Sequence, residues 1–240
     1  MKLTERLLRI ADMVPKGGIV ADIGTDHGFL PVYLIQKEIC IKAYAIDISN
    51  DSLLKAQILI KEKNLQGKII TRQGKGLTVI KPGEVDVVIL SGMGGLLICK
   101  ILKDSPEIVE TIKVFLFQPM IAQNQLRKWL YENNFTIIDE ELVREENRYY
   151  TIMKAVPISE QRVLWPYSND LYFDIGWKLI QKKHSLFPQY LKKKTDDIKK
   201  MIKHLQNENT VKSKKRLNEL SKKLLQYEEV YGWNVDATKL

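Results

Sequence analysis

Residues 19–28 read Ile19-Val20-Ala21-Asp22-Ile23-Gly24-Thr25-Asp26-His27-Gly28. A short apolar run that ends in a carboxylate and then a glycine is the signature of a buried strand entering a tight turn. The stretch that follows, from about Pro31, has helical character. Upstream, Leu3, Leu7, Ile10 and Val14 recur at helical spacing, so an amphipathic helix is expected to stop near Pro15 and the Gly17-Gly18 pair. Downstream the alternation continues. Residues 43–46 form a second strand ending at Asp47, and Ser49-Asn50-Asp51 supply capping side chains for a helix through Lys63. Residues 68–72 and 85–90 are the third and fourth strands, a helix covers 96–102, a fifth strand covers 114–117, and a helix covers 124–132. Residues 135–143 and 149–156 read as a closing antiparallel pair. The fold class expected is α/β: a Rossmann-like parallel sheet with helices on both faces and a ligand at the carboxyl ends of its strands.

From about Asn169 the pattern changes. Pro157 and Pro166 flank a connector, beyond which long helical faces appear: Leu171, Ile175 and Leu179; then Leu191, Ile198, Ile202 and Leu205; then Leu217, Leu220, Leu224 and Tyr231. Pro188 should begin or kink a helix. With a turn at Asn207-Glu208-Asn209-Thr210, these predict a C-terminal α-helical, coiled-coil-like hairpin. The two parts differ in charge. Residues 1–160 carry 21 basic and 20 acidic side chains, whereas 161–240 carry 17 and 9. A near-neutral body with a basic appendage suggests a ligand-binding domain over 1–160 and a polyanion-contacting hairpin over 161–240.

Several classes are excluded. The longest uncharged apolar stretch runs over 13 residues, 87–99, short of the roughly 18 or more that a membrane span needs. The opening MKLTERLLRI does not read as a signal peptide. The two cysteines, Cys40 and Cys99, make no CxxC or Cys/His pattern, so neither a disulfide framework nor a metal site is expected, and a reducing cytoplasm fits best.

The turn after the first strand has the form D-x-G-x-D-x-G, Asp22 to Gly28. Glycine lets backbone approach a ligand closely, but a dinucleotide would set its pyrophosphate beside Asp26, and GxGxxG is absent. S-adenosylmethionine has no phosphate, and its ammonium suits a carboxylate. Asp47, 25 positions beyond Asp22 at the next strand end, is placed to accept ribose hydroxyls; helix capping is its alternative role. After the fourth strand, Ser91-Gly92-Met93-Gly94-Gly95 leaves backbone open where methyl donor and acceptor should meet. The Asn-Pro-Pro-aromatic sequence of amino-methylating adenine enzymes is absent there, which disfavours exocyclic-amine methylation.

These motifs, ADIGTDHGFLP, SGMGG and FQPM, with the lysine-rich hairpin, together resemble the bacterial tRNA adenine-N1 methyltransferases that modify position twenty-two of tRNA, the TrmK family. The resemblance spans nearly the whole chain. It implies a class I S-adenosylmethionine-dependent domain with a C-terminal coiled-coil extension. Asp22, Gly24, Asp26 and Gly28 would line the methionine part, Asp47 the ribose, and residues 72–77 the cofactor adenine. Lys75 stands where related enzymes often carry an acid, and ammonium cannot accept a hydrogen bond, so adenine recognition falls to backbone near Gly74. Ser91 and Gly92 complete the cofactor side. Met93, Gly94, Gln118 and Pro119 are expected around the acceptor base, while Asp26, then His27, are candidates for taking up the proton or charge that methylation leaves. Packed or cofactor-holding roles compete for both. Two other readings are open: a nonenzymatic S-adenosylmethionine-responsive or RNA-binding module, and a small-molecule methyltransferase, which the basic tail disfavours. The expected partner is tRNA and the expected state a monomer, although helical hairpins also dimerise.

Overall fold

The computed structural model describes residues 3–157, 170–208 and 210–236. It divides into two compact units, Met1–Pro166 and Tyr167–Leu240. The 160/161 boundary and Pro166 lie outside the described residues.

In the first unit, helix α1 (Glu5–Met13) is followed by β1 (Ile19–Ile23), α2 (Phe29–Gln36), β2 (Lys42–Asp47), α3 (Asn50–Glu62) and β3 (Ile69–Gln73). Then come β4 (Val87–Gly94), α4 (Gly95–Lys103), α5 (Pro106–Val109), β5 (Val114–Ile121), α6 (Gln123–Glu132), β6 (Phe135–Glu145) and β7 (Arg148–Pro157). The seven strands form one sheet in the order β3-β2-β1-β4-β5-β7-β6. The first five are parallel, and β7 runs antiparallel between β5 and β6.

Alternation along the strands builds a core on each face. Ala21, Ile23, Val88, Leu90, Phe115 and Phe117 pack with Ile98 and Leu102 of α4 and Leu126 and Leu130 of α6. Val20, Ala43, Ala45, Val87, Ile89 and Leu116 pack with Ile10 of α1, Leu34 of α2 and Ile60 of α3. A sheet buried on both faces can offer a ligand only its strand tips. Two buried charges join α6 to β6: Arg127 and Glu140 are 0% and 1% exposed, with Nε to Oε1 at 2.7 Å. Between β3 and β4, Arg72 grips Glu84 with both guanidinium nitrogens, and that hydrogen-bonded fork holds the Glu84 carboxyl down at about 2. Arg72 also donates to the Val79 carbonyl, tying down the loop after β3.

Two expectations about strand ends are corrected. β4 does not stop at Leu90 but continues through Ser91-Gly92-Met93-Gly94, and β5 continues past Phe117 through Pro119 to Ile121. The pairing shifts register between Ser91 and Gly94, with Met93 opposite Pro119. Such irregularity accommodates a proline that has no N–H to give.

In the second unit, α7 (Leu171–Ile175) and α8 (Trp177–Gln181) are separated by Gly176 at φ +88°, which breaks the single face expected of Leu171, Ile175 and Leu179; all three are nevertheless buried. Pro188 sits in the first turn of α9 (Phe187–Leu205), where its missing N–H costs nothing. Helix α10 (Val211–Asp236) pairs with α9. Thr210 caps α10 by accepting from the Ser213 amide at 3.0 Å, while Asn209 of the expected turn lies outside the described residues. The seam differs in part from expectation. Leu191, Ile198 and Leu220 are buried, but Ile202, Leu205, Leu217, Leu224 and Tyr231 are half-buried, and Tyr227 and Val230 fill the interior. Tyr227 is drawn in by its hydroxyl, which donates to Asp174 of α7. Burial alone would raise the Asp174 carboxyl, but Lys194 and Lys223 outweigh it and hold the group at about 2.

Candidate active site

The carboxyl tips of β1 and β4 meet helix α1 at an open cavity of about 240 Å³, lined among others by Arg6, Asp22, Gly24, Thr25, Asp26, His27, Ser91 and Gly92, whereas the expected Asp47 and Gly28 are not among its lining residues. The turn after β1 shapes it. The amides of Gly24 and Thr25 both donate to the Ile46 carbonyl, at 2.7 and 3.1 Å, which fastens the turn to β2. Gly24, Asp26 and Gly28 all take positive φ, at +75°, +52° and +71°. Asp is among the few side-chain-bearing residues that tolerate that region. At Gly28 glycine has a second reason: an added Cβ would lie 2.9 Å from Ala56 Cβ of α3.

Asp22 is 5% exposed. Burial pushes its carboxyl up to about 7; the Thr25 hydroxyl pulls back part of the way and the Asp47 carboxylate adds to the rise. A buried acid at a cavity wall is stabilised as an anion by an incoming cation. Asp47 accepts from the amides of Ser49, at 2.8 Å, and Asp26, at 3.3 Å, so it holds two loops together. Helix α3 is capped instead by the Ser49 hydroxyl, which accepts from Ser52. Asp26 and His27 stand at the rim with Oδ2 and Nε2 3.6 Å apart, and the His27 ring stacks on Phe29 at 5.2 Å.

The remaining expected residues divide. Ser91 and Gly92 reach the cavity. Met93 lies against Gly24, its Cε 2.5 Å from where a Cβ there would be. Gly94 precedes α4 beside Ile121. Pro119 is strand-paired opposite Met93. Gln118, expected against a substrate base, is wholly buried. Its Oε1 accepts from Arg6 Nη1 at 2.6 Å, Gly92 N at 3.1 Å and Ser91 Oγ at 3.2 Å, and its Nε2 donates to the Pro119 carbonyl. It therefore knits α1, β4 and β5 rather than facing a ligand. Gly74 does not line the cavity; its amide donates to the Asp47 carbonyl, and an added Cβ would sit 2.0 Å from Val79, so close packing already explains the glycine. Arg6, which sequence reading passed over, enters from α1.

This constellation fits S-adenosylmethionine: a buried acid suits an ammonium, and a glycine turn allows close approach. Among the described residues no group of acids, histidines or cysteines could hold a metal ion, and no helix is long and apolar enough to cross a membrane.

Residues 3–153 match the family described as a methyltransferase domain, the class that fold and site define. The chain is 31% identical over 238 residues to the tRNA (adenine(22)-N(1))-methyltransferase of Bacillus subtilis strain 168, covering 96% of this chain and 97% of that one. It thus belongs to the tRNA (adenine(22)-N(1))-methyltransferases, the TrmK family. The crystal structure of B. subtilis M1A22 tRNA methyltransferase TrmK superposes with a TM-score of 0.86 at 29% identity, covering 96% of this chain and 99% of that one. That of M. capricolum TrmK in complex with the cofactor product S-adenosyl-homocysteine gives 0.82 at 28% identity, covering 96% and 100%.

Proposed function

We propose that this chain transfers the methyl group of S-adenosylmethionine to N1 of the adenosine at position twenty-two of tRNA. The observation that carries the reading is the buried Asp22 carboxyl walling a glycine-turned cavity at the strand tips, in a chain matched along its length to that family. Incubation with unmodified tRNA and the donor should yield 1-methyladenosine by nucleoside mass spectrometry, mapped to position twenty-two. Recovery of only unmodified adenosine, with the donor bound, would favour a nonenzymatic binding module.

When bound, the donor supplies an electrophilic methyl on its sulfonium. Adenine N1 carries an in-plane lone pair at neutral pH, so attack needs no general base. The protein's work is alignment and exclusion of water. Asp22 holds the ammonium, Asp47 the ribose, and the Asp22–Gly28 turn the methionine chain. Ser91 and Gly92, fixed by Gln118, form the wall toward the acceptor. N1 lies on the Watson–Crick edge, so a paired adenosine must first be exposed. Methylation leaves a cationic adenine, and the rim carboxylate of Asp26 is the group that stabilises it, with His27 beside it. We assign the hairpin over 161–240 to the tRNA, and the protein to the cytoplasm as a monomer.

Lys212, Lys215 and Lys222 of α10 are exposed. Reversing all three to Glu should raise the KM for tRNA at least roughly tenfold and flatten its salt dependence, since each phosphate contact adds to that slope. Affinity for S-adenosylhomocysteine should stay unchanged. An unaltered KM would take the hairpin out of tRNA binding.

A further inference from the structure

Where β5 ends, the surface turns apolar. Ile121 and Leu96 are 69% and 60% exposed, and their chain neighbours Met120 and Leu97 are exposed as well. Single exposed apolar residues need no explanation, but four on one side of a ligand cavity do. Ile121 is paired with Gly94, a Cβ on Gly94 would lie 3.7 Å from Ile121 Cγ1, and Leu96 follows in the first turn of α4. The group adjoins the cavity wall, because the Met120 sulfur accepts from Arg6 Nη1 and from Gln118 Nε2, both at 3.6 Å. Its backbone is built not to yield. Ala122 takes φ +60°, a left-handed conformation unfavourable for a residue with a Cβ. Gly95 is pressed so close to Ala122 that an added Cβ would lie 2.5 Å from its carbonyl oxygen, and Gln123 Nε2 donates to the Pro119 and Met120 carbonyls, both at 3.4 Å. Residues 94–97 and 119–122 carry no charge, so this face is suited to nucleobases rather than to phosphates.

We infer that Ile121, with Leu96, is a wedge that takes the adenosine's place in its base stack when that adenosine leaves for the cavity. This inference rests on the tRNA reading above. N1 is out of reach while the base is paired and stacked, and extruding it costs stacking energy that a side chain filling the gap can offset. Apolar side chains inserted at a base step do this by contact with the flanking rings, without hydrogen bonds. A stiff strand tip suits the task, since a wedge on yielding backbone would fold back instead of parting the bases. Ile121 and Leu96 are positioning residues: they hold the gap open, and the reacting atoms meet elsewhere.

The test uses the full chain with S-adenosylhomocysteine and tRNA carrying 2-aminopurine at position twenty-three, whose emission rises when its neighbour leaves the stack. Saturating wild-type protein should raise that emission at least roughly threefold. With Leu96→Ala and Ile121→Ala together, most of the rise should be lost, and single-turnover methylation of unlabelled tRNA should slow at least roughly tenfold. Melting temperature and affinity for S-adenosylhomocysteine should stay unchanged. Leu96→Met with Ile121→Met, which keeps the apolar volume, should restore both signals. A full rise or an unchanged rate in the alanine variant would overturn the inference, and so would no recovery with methionine. A loss of S-adenosylhomocysteine affinity that matches the loss of rate would overturn it by making the tip part of the donor site. A shift from dimer to monomer on sedimentation would overturn it by giving the face to a second copy of this chain. If the wild-type protein methylates position twenty-two while the probe stays dark, the wedge fails and the substrate reading stands. If it forms no 1-methyladenosine there, the substrate reading itself fails, before any variant is made.

Discussion

Asp22→Asn is expected to weaken binding of S-adenosylhomocysteine by roughly ten- to a hundredfold, because a charge-assisted hydrogen bond contributes about 1.5–3 kcal/mol. The same substitution should stabilise the free protein. The Asp22 carboxyl is raised to about 7 in the folded state from a reference of 3.8. Between those values the native state binds more protons than the unfolded chain, so stability falls as pH rises from about 4 to about 7 and then levels off. Asparagine has no such proton to lose. At pH 8 its melting temperature should exceed that of the wild type by a few degrees, given about 2–4 °C per kcal/mol for a chain this size. Ligand affinity should behave in the opposite sense, rising in the wild type as Asp22 ionises through pH 7 and staying flat in the variant. A variant that loses both stability and affinity would identify Asp22 as a packing residue and remove it from the cofactor site.

Arg127→Ala should be the most damaging single change away from the cavity. It leaves the Glu140 carboxylate in the interior without the guanidinium that lies 2.7 Å away. Stranding one member of a buried pair costs about 3–5 kcal/mol, which corresponds to a fall in melting temperature of roughly 6–20 °C. Replacing both residues together, as in Arg127→Met with Glu140→Leu, should recover most of that loss, because the desolvation cost of two charges disappears with them. Thermal denaturation of the three proteins decides the matter. If the single variant melts with the wild type, water reaches Glu140 and the pair is not sealed.

The sheet was legible because its strands are short, apolar and separated by capping residues such as Ser49, which does cap α3. Strand ends were less so. Glycines 92 and 94 and Pro119 carry turn-like preferences, yet β4 and β5 run on through them, since tertiary pairing with a register shift overrides local propensity. Asp22 and Asp47 could be placed at strand ends because the αβ alternation fixes where the first two strands stop, and of the two only Asp22 lines the cavity. Arg6 could not be picked out: its partner Gln118 is 112 positions away, and an arginine in an amphipathic helix carries no local mark of pointing inward. Gln118 misled for a related reason. Its place at a strand tip was readable, but the three donors that occupy its oxygen come from two elements distant in sequence, Arg6 of α1 and Ser91 and Gly92 of β4. Tyr227 was overlooked in the hairpin because its burial is bought by an acid 53 positions earlier rather than by the apolar repeat.

That acid also bears on how the basic arm must be read. Lys194 and Lys223 both turn inward to Asp174, while Lys199 pairs with Glu228 and Lys193 with Asp197. These four lysines meet three acids that the surplus of 17 basic over 9 acidic side chains already counts, so pairing leaves the net charge of the arm unchanged and fixes only where it can project. The side chains that project into solution form a smaller set, Lys212, Lys215 and Lys222 among them, so close contact with a polyanion should concentrate there while the arm's net charge sets the long-range attraction.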